Sequence, residues 1–426
     1  MHHHHGPAPL DILPAMTYLR FIKNHPRRLL MGFSLTLFAS FGQTYFIALF
    51  SGELREAFDL SVAGFGTVYS MATLLSGFSV LYFGGLIDRI ALPLYLFVIV
   101  SVLALASLAL ALLPFQSVAF LFVIIYLFRL CGQGLMGHAA STTMARDFIE
   151  NRGKAISFAS MGHAAGEAVF PILAVAIMAS FGWQMTWLSI AVLLFLYLPV
   201  LVWLASTRKS AGAKPDESVA KSDLGTSWTR GEAIRDRAFY LLLVAMIAPP
   251  FINTGVFFLQ IPLIEAKGWS LPLFAAAFSL YALTTVFGIL LAGRLVDRTS
   301  AFDVLVYAML PYGLGLFVIA LSDHMSVIYI FMAMAGLTTG LFYPCATAVW
   351  AELYGLGHLG SIRALTSSLM VFSTSLSPAL MGFLLDLGIS FSLLFLGCAV
   401  WALISVPAVL KARQINRERH RIELGS

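Results

Sequence analysis

Arg129 and Glu167 each stand inside a long apolar stretch that holds no other Lys, Arg, Asp or Glu. His163 precedes Glu167 by four residues, which is one helical turn on the same face. His138 follows Arg129 in the same stretch. These residue types suit two tasks. A carboxylate and an imidazole can carry a proton through a buried site. A guanidinium can hold an anion through paired hydrogen bonds. A cycle follows in which a proton neutralises Glu167 and releases Arg129 to bind an anionic solute. The structural alternative is a fixed Arg129–Glu167 bridge that ties two helices, with His163 as a packed core side chain.

The elements that position these residues follow from composition. The chain has 426 residues, is 59% hydrophobic and only 11% charged. Soluble domains carry about 25% charged residues, so a water-exposed surface is excluded, and so is disorder. The apolar stretches are continuous rather than alternating, which excludes a membrane β-barrel. Twelve helical spans are expected, at about 29–51, 62–86, 92–114, 117–141, 155–180, 184–206, 238–264, 271–294, 302–321, 325–350, 363–385 and 389–411. Arg129 and Glu167 then lie about 18–20 Å from the same end of spans four and five. A charge at that depth costs about 3 kcal/mol or more. Both side chains must face the protein interior or a wet cavity, and mutual pairing across adjacent antiparallel helices is the expected arrangement.

Residues 2–5 form a histidine run typical of an expression tag, and residues 1–10 are set aside with it. Residues 11–206 make a first six-span bundle, 207–237 a polar linker, 238–411 a second bundle and 412–426 a basic tail. With both ends cytoplasmic, about 23 of the 26 Lys and Arg residues fall on the inner side. The basic charge therefore sets orientation, and no nucleic-acid partner is expected. Cys131, Cys345 and Cys398 are scattered through apolar segments with no metal-ligand spacing, so no metal and no cofactor is expected.

The two bundles repeat one another. Gly84-Gly85-Leu86-Ile87-Asp88-Arg89 follows span two, and Gly293-Arg294-Leu295-Val296-Asp297-Arg298 follows span eight, 209 residues later. Pro171 and Pro378 are 207 residues apart, and Gly134 and Gly340 are 206 apart. Such a duplicated unit is the mark of a transporter repeat.

The paired G-x-L-x-D-R loops, the central linker and the Arg152-Gly153-Lys154-Ala155 opening of span five resemble the major facilitator superfamily. The broad monocarboxylate-transporter-like group is the nearest within it. The chain lacks that group's basic residue in span eight and its acidic-glycine opening of span one. The resemblance implies an all-α membrane protein of two six-helix bundles, related by a pseudo-twofold axis and rocking about a central cavity. Spans one, four, seven and ten line that cavity, and spans two, five, eight and eleven form the seam. Arg129, with Gly134 five residues on, sits where many members carry an arginine.

The loop residues Gly84, Asp88, Arg89, Gly293, Asp297 and Arg298 read as an inner gate. Asp88 and Asp297 are placed to cap the N-termini of spans eleven and five in the opposite bundle. Neutral polar residues near helix breaks complete a solute site: Gln43 and Tyr45 in span one, Asn253 and Gln260 in span seven, Tyr281 in span eight and Tyr343 in span ten. The expected function is secondary active transport of a small organic anion by alternating access, coupled to protons through Glu167, His163 and His138. Proton-driven efflux of an amphipathic compound is the runner-up, and a flux-free sensor a remote third. No catalytic set supports an enzyme. The expected partners are solute, protons and bilayer lipid, with the chain a monomer in the cell membrane.

Overall fold

The structure, a computed structural model, describes residues 21–113, 116–149, 151–206, 228–355 and 357–425. The proposed tag and most of the linker lie outside the described residues. Apolar sequence in a bilayer must satisfy its backbone internally, and a helix does so. Among the described residues, eleven helices are long and apolar enough to cross a bilayer. A twelfth crossing is made by Pro26–Gly42 and Thr44–Ala57, bent by 45°. In chain order this broken pair is span one, followed by Val62–Asp88, Leu92–Leu112, Val118–Asp147, Arg152–Phe181 and Trp183–Ala205 as spans two to six. Span seven is Arg237–Phe258, continued by Gln260–Lys267 after a break at Leu259. Spans eight to twelve are Leu271–Arg298, Ala301–Leu321, Val327–Tyr354, Leu359–Asp386 and Phe391–Gly425.

Local chemistry sets several of the ends. Ser61, Ser117 and Ser300 accept from backbone N–H groups in the first turns of spans two, four and nine. Thr229 and Glu232 form a capping box that opens a short helix, Arg230–Arg235, just before span seven. The last span runs on through the residues expected as a free tail. There Arg413 pairs with Asp303, Asn416 donates to the Glu352 carbonyl at 3.4 Å, and Arg419 pairs with Asp236 at 2.5 Å.

The face bearing the basic loops is called inner below, and the face bearing Arg55 and Lys267 outer. The spans pack as two halves of six. Between the halves, span two lies on span eleven and span five on span eight. The outer pieces of spans one and seven also meet. All cross-half polar contacts among the described residues lie in the outer part or at mid-depth. Ala63 N–H donates to Asp386 (3.2 Å), Ala379 N–H to Ser70 (3.0 Å), and the Ser279 hydroxyl to the Ala168 carbonyl (2.8 Å). Arg55 pairs with Glu265 at 3.6 Å. One hydrophobic core runs from the first half through the outer ends of the second. The inner end of the second half keeps a separate core around Phe239, Phe302 and Trp350. The molecule is thus closed outside and parted inside.

Small residues allow the closest crossings. A Cβ on Gly42 would stand 2.7 Å from Gly132 Cα, so span one meets span four backbone to backbone. Gly42→Ala therefore forces the two spans apart, and a loss of about 1–3 kcal/mol is expected in a detergent melt. Gly85→Ala, where a Cβ meets nothing within 4 Å, is the neutral control.

Asp236 caps span seven through the Ala238 N–H (3.2 Å) and also accepts from Tyr354 and Arg419. Burial raises its carboxyl, but the hydrogen bonds from Arg419, Ala238 and Tyr354 outweigh this and hold it below the usual aspartate range. Its contribution to stability is complete above the unfolded value near about pH 4 and is lost as pH falls through the lower folded value. Asp236→Asn is expected to cost about 1–2 kcal/mol at neutral pH. The difference from the parent should shrink as the pH of the melt falls through that lower folded value.

Candidate functional site

Span four changes its winding where its charge sits. Residues Phe128–Met136 form a π-helical segment with Gly132 and Gly134 inside it and Gly137 at its end. Wide turns of this kind are frequent at functional sites. Arg129 is only 2% exposed. Its Nε donates to the Thr73 hydroxyl at 3.1 Å, and Nη1 donates to the Gly42 carbonyl at 3.1 Å and the Thr44 hydroxyl at 3.3 Å. The guanidinium also lies 5.2 Å from the centre of the Tyr69 ring. Tyr69 in turn donates to Thr44 at 2.9 Å. Every partner is neutral. The expected Arg129–Glu167 bridge is not formed, because Arg129 turns toward spans one and two while Glu167 faces the other half.

Glu167 is half-buried and makes no hydrogen bond or ion pair among the described residues. It lies within electrostatic reach of the hydroxyls of Tyr45, Tyr281 and Tyr343, from spans one, eight and ten. Gly166 beside it leaves room for Ser40 of span one. Tyr343 is 48% exposed. His163 is half-buried one turn nearer the inner face, on the same helix. His138 sits lower still, against Gly84 and 3.5 Å from the Thr142 hydroxyl.

The neutral candidates fall into two groups. Asn253 receives the Tyr312 hydroxyl at 2.6 Å and donates to Thr339 at 3.1 Å, and Tyr281 reaches the same Thr339 at 3.0 Å. This network joins spans seven to ten inside the second half. Tyr45 and Gln260 meet instead between the halves, where Gln260 donates to the Tyr45 carbonyl at 2.8 Å. Gln43 stands at the bend of span one with extended backbone (φ −82°, ψ 152°).

Sequence reasoning missed Thr44, Tyr69 and Thr73 around the arginine, and Tyr312 and Thr339 in the second network. Tyr69 and Thr73 carry a usable signal. They are one turn apart on the same face of span two. At the inner end, Asp88 pairs with Arg146 of its own half at 2.5 Å rather than with span eleven. Arg89, Gly293 and Arg298 are exposed, and the side chain of Asp297 lies outside the described residues.

Comparison with known proteins fits this geometry. The sequence profile of the Major Facilitator Superfamily matches residues 32–300 and 251–423. The chain belongs to that superfamily and is a membrane transporter rather than an enzyme. A bacterial homolog of the human lysosomal transporter Spinster, solved in an inward-facing, unoccupied conformation, superposes with a TM-score of 0.66 at 15% identity. That match covers 92% of this chain and 98% of the other. The nucleoside transporter NupG superposes with a TM-score of 0.67 at 13% identity, over 90% of this chain and 98% of the other. Multidrug resistance protein 2 of Bacillus subtilis (strain 168) is 22% identical over 191 residues. That alignment takes in 44% of this chain and about half (47%) of the relative.

Thr73→Val tests how the buried charge is held. It removes one hydrogen bond to a charged group at nearly unchanged volume, and a loss of about 1.5–3 kcal/mol is expected in a detergent melt. An unshifted melt would mean that Arg129 finds a replacement partner.

Proposed function

We propose that the chain is a proton-coupled secondary transporter of a small organic anion, working by alternating access across the cell membrane. The observation that supports it is a buried guanidinium whose partners are all neutral, so a positive charge is left over beside the central seam. A solute anion entering with Glu167 protonated meets that net charge. With Glu167 ionised, the charge is cancelled and the anion is released. His163 and His138 continue the titratable line from Glu167 toward the inner face. Gln43, Tyr45, Asn253, Gln260, Tyr281 and Tyr343 supply neutral contacts to the solute.

The inner gate belongs to the same reading. Asp88 leaves Arg146 and caps span eleven when the inner face closes, and Asp297 acts likewise toward span five, with Gly84, Arg89, Gly293 and Arg298 completing the two gate loops. The inner face is taken as cytoplasmic on the basic loops, and the working unit as a monomer.

A second reading, proton-driven efflux of an amphipathic compound, has its own support. Glu167 is within electrostatic reach of three phenols, and the Tyr45 ring lies 5.4 Å from that of Phe278. A carboxylate among aromatic rings suits an organic cation. The distant multidrug relative leans the same way.

Flux in proteoliposomes separates these readings. Glu167→Gln is expected to abolish accumulation driven by a pH gradient while solute exchange persists. An unaltered pH dependence of accumulation would falsify coupling through Glu167. Organic acids that stabilise the protein should lose their effect in Arg129→Ala. Stabilisation by amines alone, lost in Glu167→Gln, would favour efflux.

A further inference from the structure

Span ten carries a threonine at which two donors converge. Thr339 Oγ1 accepts from the Asn253 amide at 3.1 Å and from the Tyr281 hydroxyl at 3.0 Å. The amide is itself oriented. Its Oδ1 accepts from Tyr312 at 2.6 Å, which turns the N–H side toward Thr339. Small residues make this reach possible. A Cβ on Gly336 or Gly340 would run into the carbonyls of Tyr281 and Thr285, so spans ten and eight lie backbone to backbone around Thr339.

A hydroxyl has two acceptor sites and one hydrogen. Both acceptor sites of Thr339 are filled, so what it has left to offer is its hydrogen. A helical threonine can return that hydrogen to a carbonyl one turn back. Thr284 and Thr285 of span eight do so, at 2.9 Å to Leu280 and 2.8 Å to Tyr281. Among the described residues no acceptor meets the hydrogen of Thr339. Hydrogen bonds in series polarise one another, which strengthens the last donor of the chain. Thr339 is half-exposed, and Tyr343, one turn on along the same face, is more open still. Glu167 of the first half is within electrostatic reach of both Tyr281 and Tyr343. This face of span ten therefore looks toward the first half. The first half has a similar convergence with a different outcome. Thr44 accepts from Arg129 at 3.3 Å and from Tyr69 at 2.9 Å, but it is buried.

We propose that Thr339 binds the solute and fixes the chemistry of the group it touches. Its hydroxyl donates to an acceptor oxygen, such as that of a carboxylate or carbonyl, and it refuses an ammonium. Asn253 and Tyr281 are its positioning residues and act on the solute through it. The solute contact rests on the transport reading above, whereas the aimed donor does not.

Two measurements test this, and the first needs no solute. Protein with Cys131, Cys345 and Cys398 replaced by Ala carries Thr339→Cys, so that a sulfur stands where the two donors converge. The probe is 2-sulfonatoethyl methanethiosulfonate, added to the protein in detergent. Donors aimed at the sulfur favour the thiolate, which is the reactive form. Tyr281→Phe removes one donor, and the pH midpoint of labelling is expected to rise by about one unit, as for one hydrogen bond to a charged group. Asn253→Leu is a second variant with the same expected rise. Tyr343→Cys is expected to keep its midpoint in both. A change of access alone rescales the rate at every pH and leaves the midpoint in place. A Thr339→Cys thiol that is not labelled, or a midpoint that neither variant moves, overturns the proposal.

The second measurement uses pyruvate, succinate and benzoate as probes in detergent melts. For an acid that stabilises the parent, Thr339→Ser is expected to keep the effect. Thr339→Val is expected to weaken the apparent affinity about five-fold, the ratio that one neutral hydrogen bond gives. Equal affinity in Thr339→Val overturns the solute contact. Stabilisation by none of the three acids, with the thiol midpoint moving as expected, counts against the anion reading and leaves the aimed donor standing.

Discussion

A guanidinium in the middle of a bilayer has to be solvated by something, and much of this fold is arranged around that demand. Arg129 meets it with a carbonyl, two hydroxyls and an aromatic face. The Gly42 carbonyl is free because span one breaks there. It is near because Gly42 and Gly132 let two backbones touch. The wide turn of span four brings the side chain over spans one and two. Thr73 and Tyr69 project from span two to complete the shell. Break, glycine crossing and wide turn therefore belong to a single problem. Because no carboxylate enters the solution, the charge stays uncancelled.

That arrangement makes the two halves unequal. The first holds its charge in a tight polar shell. The second, at the corresponding level, holds a neutral network of Asn253, Tyr281, Tyr312 and Thr339. Glu167 stands between them with no hydrogen bond or ion pair among the described residues, within electrostatic reach of phenols from both halves. The outer seam is closed and the inner one parted, so Glu167 is approached from the inner side.

Much of this was legible in the residues. Continuous apolar runs fixed the spans, since a bilayer leaves the backbone one economical way to bond. The repeated G-x-L-x-D-R loops marked the duplication. The depth of Arg129 and Glu167 followed from counting residues along two helices. Counting could not supply azimuth. Similar depth on adjacent helices suggested a bridge, but the wide turn at Phe128–Met136 rotates Arg129 away, and nothing in the sequence announces that turn beyond its glycines. The solute candidates show the same limit. Asn253 and Tyr281 share one threonine, whereas Gln260 lies at the outer seam, and only tertiary packing separates these roles. The inner-gate aspartate was read for a partner across the seam. In this inward-parted state Asp88 has Arg146 instead, because span eleven is out of reach.

The last span has a practical side. Its helix does not stop at the bilayer surface but continues to Gly425, and along the way its arginines clasp the foot of span seven and the start of span nine. What reads in the sequence as a basic tail is a brace for the second half. A reporter protein fused there, or a truncation made before Arg413 to shorten the chain, would load or remove a structural strut.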